Sequence, residues 1–167
     1  MNAKEKVKNW EDNTPLVGSP KQIALATDLR HKAFEKLAED ELVDEVWTCI
    51  ALFTRDLREK AANSNNDFCV KLWRNFSQMY PALAPQSGVK PPRKETFATM
   101  KQLYNDVADR VVKFKESGTW INARTDYCLS NGGYLPINLA CLNILAKGET
   151  ITEEQFTMFK LNIFSEQ

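Results

Sequence analysis

The run Leu135 to Lys147, LPINLACLNILAK, constrains the fold more than any other stretch of the chain. Its apolar residues fall on nearly every side of a helical wheel, so as a helix it has no broad face for water and must be surrounded by other elements. It is too short to cross a bilayer, which takes roughly 20 apolar residues. The expectation is a buried central helix near 135–147, and the rest of the chain has to supply its surround.

The flanking segments read as helices able to do so. In LVGSPKQIALATDLRHKAF, Leu16 to Phe34, Ser19 can accept from the exposed backbone donors of a helix start and Pro20 suits the first helical position. Gln22 reaches back to Ser19 and completes a capping box. Ile23, Ala26, Ala33, Phe34 and Leu37 then recur at helical spacing. A second helix is expected from Asp40 to Ala62, because Val43, Val46, Trp47, Ile50, Leu57 and Ala61 lie on one stripe. The run Asn63 to Asn66, NSNN, stops it. A third begins at the asparagine or Asp67 cap and carries Phe68, Leu72, Trp73, Phe76 and Tyr80 until Pro81 and Pro85 forbid continuation. Pro81 to Lys94, PALAPQSGVKPPRK, is then a loop.

Beyond that loop, Phe97, Met100, Tyr104, Val107, Val111 and Phe114 alternate at steps of three and four. So narrow a seam suits an antiparallel neighbour or a second copy of the chain, which makes a homo-oligomer one expectation. Ser117 and Gly118 are expected to end this helix, and a short helical turn from Trp120 to Asp126 leads to a reversal at Ser130 to Tyr134, SNGGY. Thr152 and Gln155 form a second capping box, with Ile151 and Phe156 at the spacing of a hydrophobic staple, and the last helix is expected to run to about Phe164. The expected class is therefore all-α, a compact bundle of about six or seven helices. Residues 1–15, charged and without periodicity, read as a flexible tail with Trp10 as an anchor. Residues 16–167 read as a single helical domain with a proline-containing loop at 81–94, a loop that would alternatively separate two helical halves.

Charge and composition narrow the function. Twenty-two basic residues balance twenty-two acidic ones, which removes the broad positive field that non-specific nucleic-acid binders use. Nothing resembles a membrane span, and the opening MNAKEKVKNWEDN is polar where a signal peptide needs an apolar centre, so a cytoplasmic location is expected. Cys49, Cys69, Cys128 and Cys141 lack a CxxC pair, and His31 is the only histidine. Reduced thiols are expected, with no structural metal and no cofactor.

Two segments resemble a known group. Leu16, Gly18, Ser19, Lys21, Gln22, Ile23, Ala26 and Arg30 resemble the opening LxGSxKQIxxAxxIR of uncharacterised small proteins of phages, plasmids and conjugative elements. Leu29 stands where isoleucine is usual, and Leu25 where tryptophan is common. Trp120, Ile121 and Arg124 are similar to the WWIxxR segment of the same proteins, with Trp120 alone in place of the pair. The resemblance implies a mobile-element origin, and small proteins of such elements are often inhibitors or adaptors directed at host machinery, including nucleic-acid-targeting defence systems.

Several constellations have both a chemical and a structural reading. Trp120 and Arg124, four apart, are residue types enriched in binding hot spots, although a tryptophan also closes a core. Lys90, Arg93 and Lys94 in KPPRK form the densest basic patch, with Lys4, Lys6 and Lys8 as another; either touches phosphates or an acidic protein, or is a solvated face. Arg30 and His31 lack an accompanying nucleophile motif. Glu39, Asp40, Glu41, Asp44 and Glu45 are explained by a helix start and by solvation, with metal binding or nucleic-acid mimicry as the sharper alternatives. The expectation is thus a non-catalytic interaction protein that binds a host protein or ribonucleoprotein complex through Trp120, Arg124, Lys90, Arg93 and Lys94. Alternatives are a nucleic-acid-binding accessory factor and an enzyme with an unrecognised site.

Overall fold

A computed structural model describes residues 1–63, 67–84, 90–124 and 134–159. Among them are eight α-helices and no strand, so the fold is an all-α bundle. The helices are α1 (Ala3–Asn13), α2 (Pro20–Leu37), α3 (Asp44–Asn63), α4 (Asp67–Met79), α5 (Arg93–Val111), α6 (Ser117–Ala123), α7 (Leu135–Leu145) and α8 (Glu153–Phe159), with a 3-10 turn at Pro81–Leu83. That turn lies inside the expected 81–94 loop. Ser130 to Gly133 of the SNGGY reversal, most of NSNN, residues 85–89 of the expected loop, the end of the expected 120–126 turn, Cys128 and the stretch beyond Phe159 lie outside the described residues.

The apolar run does form the centre. Every residue of α7 is buried except Leu139 and Asn143, which are half-buried, and the helix packs against α3, α4, α5, α6 and α8. Tyr134 precedes Pro136 at a start without a side-chain cap; enclosure by neighbouring helices holds this helix in place. At its far end the Asn75 amide of α4 donates to the Leu145 carbonyl at 2.7 Å, satisfying one of the orphan acceptors of a buried helix end.

The seam of α5 is spent within the chain. Met100, Tyr104, Val107 and Val111 are buried and α5 packs on α7, so this stripe finds its neighbour within the chain, and these four residues of the seam from Phe97 to Phe114 are withdrawn as a homo-oligomer contact. Tyr104 goes further: its hydroxyl donates to the Leu37 carbonyl at 2.5 Å, with the carbonyls of Glu39 and Lys36 at 3.1 and 3.3 Å, and so serves the open end of α2. Burial, followed by Glu39 and Asp40, pushes this phenol up to about 12.

Two expectations about element boundaries are corrected. Residues 1–15 are not a tail but chiefly α1, started by a capping box in which Asn2 accepts from the Glu5 amide and Glu5 accepts from the Asn2 amide. Val7 is buried and Trp10 meets Phe34 edge-on at 5.5 Å, so one apolar edge suffices to seat the helix on α2. Ser117 and Gly118 do not end α5; they open α6. The chain between the two helices turns at Val112 and Lys113 and is extended at Glu116, where Val17 pairs with it through bonds to the Lys115 carbonyl (2.8 Å) and from the Ser117 amide (3.0 Å).

That pairing explains the LVGSPKQ stretch in physical terms. Gly18 has φ +150°, and a β-carbon there would stand 3.0 Å from the Gln22 Oε1 and 3.1 Å from the Ser117 Oγ, so the close approach of the two segments needs glycine. Ser19 and Gln22 form the anticipated capping box. The box of Thr152 with Gln155 is likewise present ahead of α8, at 3.0 and 3.1 Å.

Candidate interaction surface

The two segments that carry the sequence resemblance meet in space, and they are used for folding. α2 packs on α6, and Trp120, 0% exposed, stands edge-on to Phe34 at 5.7 Å. Its indole N–H donates to the Phe114 carbonyl at 3.0 Å. Trp120 is therefore core and is withdrawn as a contact residue. Arg30 is also inside: its guanidinium lies 5.3 Å from the Phe34 ring centre and donates to the Thr14 carbonyl. Burial lowers the ionisation of Arg30 while Glu11 partly restores it. Arg124 is exposed just past the end of α6 and folds back to donate to the Ile121 carbonyl at 3.0 Å.

The basic residues of KPPRK are assembled differently. Pro91 and Pro92 bring the chain into α5, and Lys90, Arg93 and Lys94 are all exposed at its start. One turn on is Phe97, 51% exposed, at the end of a stripe in which Met100, Tyr104, Val107 and Val111 are buried. The Arg93 guanidinium lies 5.3 Å from the Phe97 ring centre, the i, i+4 reach of neighbouring helix turns. Across on α3, the half-buried Trp47 stands 6.3 Å from Phe97 at a tilt of 49°. Tryptophan, phenylalanine and arginine thus meet at one exposed place, with two further cations beside them.

This start of α5 runs against ordinary helix electrostatics. A helix N-terminus carries a partial positive charge, and cations there cost about 0.3–1 kcal/mol each at low ionic strength. Here Arg93 and Lys94 occupy the first turn with only Glu95 to offset them, and Pro92 supplies no side-chain cap. The acidic stretch behaves conventionally by comparison. Asp44 and Glu45 open α3, Lys6 pairs with Asp40 at 3.1 Å, and Lys36 with Glu45 at 3.2 Å. Backbone hydrogen bonding and then Lys36 hold the Glu45 carboxyl below its usual range.

Sequence reasoning found the cations but not the ring pair. The Arg93–Phe97 spacing was available as a signal; the partnership with Trp47 depends on how α3 and α5 cross. His31 was visible in the sequence but its partners were not: it is hydrogen-bonded, bridging Glu11 of α1 and Glu35 of its own helix. These three line a groove of about 710 Å³ between α1 and α2.

Cys49, Cys69 and Cys141 are buried. Burial pushes the Cys141 thiol up to about 12 and raises that of Cys69, which suits packing and not nucleophilic chemistry. Among the described residues no group of three or more histidine, cysteine or acidic side chains is placed to hold a metal, and no helix is long and apolar enough to cross a membrane. No family model, no curated protein and no solved structure matches the chain.

Proposed function

We propose that this chain is a non-catalytic interaction protein whose docking surface is Phe97 and Trp47 rimmed by Lys90, Arg93 and Lys94. The observation that carries the reading is Phe97, half exposed between an arginine and a tryptophan at a helix start that holds two cations against one carboxylate. An acidic protein surface with an apolar or aromatic anchor completes both features at once. It covers the ring, and its carboxylates offset the charges that α5 tolerates unfavourably.

The mobile-element resemblance extends the proposal to a host protein or ribonucleoprotein complex as the partner, with inhibition of a nucleic-acid-targeting defence system as the outcome. Arg124 is retained as an exposed rim candidate. A nucleic-acid accessory role is the second reading, favoured by the same basic and aromatic grouping. Against it, Arg93 already occupies a face of the Phe97 ring that a stacked base would need, and the balanced charge provides no wider field.

Tagged wild-type protein and the variants Phe97→Ala and Arg93→Glu/Lys94→Glu are used to capture partners from a bacterial lysate, with and without nuclease. A protein that is retained after nuclease and lost with both variants supports the docking surface. A partner held equally by all three proteins rejects it. Capture that nuclease abolishes, with direct binding that falls steeply with salt, moves the function to the accessory role.

A further inference from the structure

We propose that His31 is a pH-sensitive clasp that fastens the N-terminal helix α1 to α2 and lets it loosen as pH rises. The geometry is an imidazole between two carboxylates on different helices. Nδ1 is bonded to Glu11 of α1, and Nε2 lies 2.9 Å from Glu35, one turn along α2. Only the doubly protonated ring donates to both acceptors at once, so loss of one proton leaves a nitrogen lone pair facing a carboxylate. One of the two bridges then fails.

The surrounding charges favour the cation. Glu5 and Glu39 also line the groove beside Glu11 and Glu35, whereas Lys4 and Lys8 of α1 oppose them. Arg30, next in sequence, is turned inward to Thr14 and over Phe34. The hydrogen bond to Glu11 is the largest influence and, with Glu35, outweighs partial burial to hold the ring's ionisation above its ordinary 6.5. A group raised in the folded state contributes fully below its unfolded value and is lost as pH climbs through the folded one. The clasp is therefore closed below 6.5 and opens above the raised value.

α1 is suited to respond because its main neighbour is α2. Its other holds are Val7, Trp10 against Phe34, the Lys6–Asp40 pair at 3.1 Å and the Thr14 carbonyl on Arg30. They seat the helix without enclosing it, so opening is local and uncovers the Trp10 and Val7 edge together with the outer side of Phe34.

As His31 is the sole histidine, its ring resonances report the titration directly in the full-length protein. Amide-exchange protection factors for α1 are read against those of α5 at about pH 6 and about pH 8.5. In the wild type, α1 protection should fall about three- to five-fold across that range while α5 holds, the size expected of an exposed charge pair. His31→Gln should show the high-pH level at both values, and Glu11→Gln should move the ring's titration midpoint down. A wild-type α1 indifferent to pH, an equal fall in His31→Gln, or an unmoved midpoint in Glu11→Gln would each overturn the clasp.

Discussion

Phe34 and Phe97 share a local arrangement: each lies one turn after an arginine whose guanidinium is 5.3 Å from the ring centre, and each has a tryptophan alongside. Phe34 is 0% exposed and Phe97 51%. The difference lies in what crosses above them. Over Phe34 come Trp10 from α1 and Trp120 from α6, and the Thr14 carbonyl accepts from Arg30, so the arginine is itself sealed in at 4% exposure. Among the described residues, the ring that meets Phe97 is the half-buried Trp47. The same residue types thus build a finished core in one place and a partly covered surface in the other, and the inner cluster shows what the outer one lacks.

The largest test of this contrast is Trp120→Ala. Removing a fully buried indole, its hydrogen bond to Phe114 and its edge contact with Phe34 should cost about 3–5 kcal/mol in denaturant unfolding. A loss below about 1 kcal/mol would mean that Trp120 is not closing a core. Phe97→Ala should do the reverse. Stability should fall by only about 1 kcal/mol, the Arg93 contact and part of the ring pair with Trp47, while affinity for the captured partner should fall by about 2 kcal/mol, or roughly 30-fold, in a titration. If Phe97→Ala instead unfolds the protein as Trp120→Ala does, the two clusters are alike and the docking surface is lost.

Gly18→Ala addresses how the inner cluster is closed. The new methyl would press on Gln22 and Ser117 at a positive φ, disturbing both the capping box and the approach of α6 that delivers Trp120. A cost of about 1–3 kcal/mol is expected in the same unfolding measurement. An unchanged midpoint would show that the α2–α6 junction tolerates a side chain there, and the role given to LVGSPKQ would have to be abandoned.

What was legible in the sequence, and what was not, follows the same division. The capping boxes at Ser19 and Thr152 and the all-round apolar character of α7 are local or self-contained signals, and they translated directly into structure. Periodicity along α5 showed which residues share a stripe, but not where along it the covering helix stops. Met100 through Val111 are covered and Phe97 is not. Trp120 had two readings, and the one that has it close the core beneath the first helix is what the structure shows; its four-residue spacing from Arg124 carries no trace of the residue it meets there, Phe34 far upstream. α1 was missed because its apolar edge is so short, although Asn2 and Glu5 spelled a capping box. The His31–Glu11 pair spans twenty positions, and only the crossing of α1 over α2 creates it.

The finest test separates binding from folding at the start of α5, where the two should have opposite signs. Lys94→Glu replaces a cation in the first turn by an anion that the helix dipole favours, so stability should rise by a few tenths of a kcal/mol, about 1 °C in Tm. Arg93→Glu makes the same electrostatic gain but removes the guanidinium from the exposed Phe97 ring, a contact worth about 0.5–1 kcal/mol, so its stability should be nearly unchanged. Both should weaken capture of an acidic partner. Thermal melts beside the binding titration therefore distinguish two explanations of these cations. If Lys94→Glu lowers Tm, Lys94 supports the fold in its own right. If it raises Tm and loses the partner, the positive charge is held at this helix start against the interest of stability, as an acidic docking face requires.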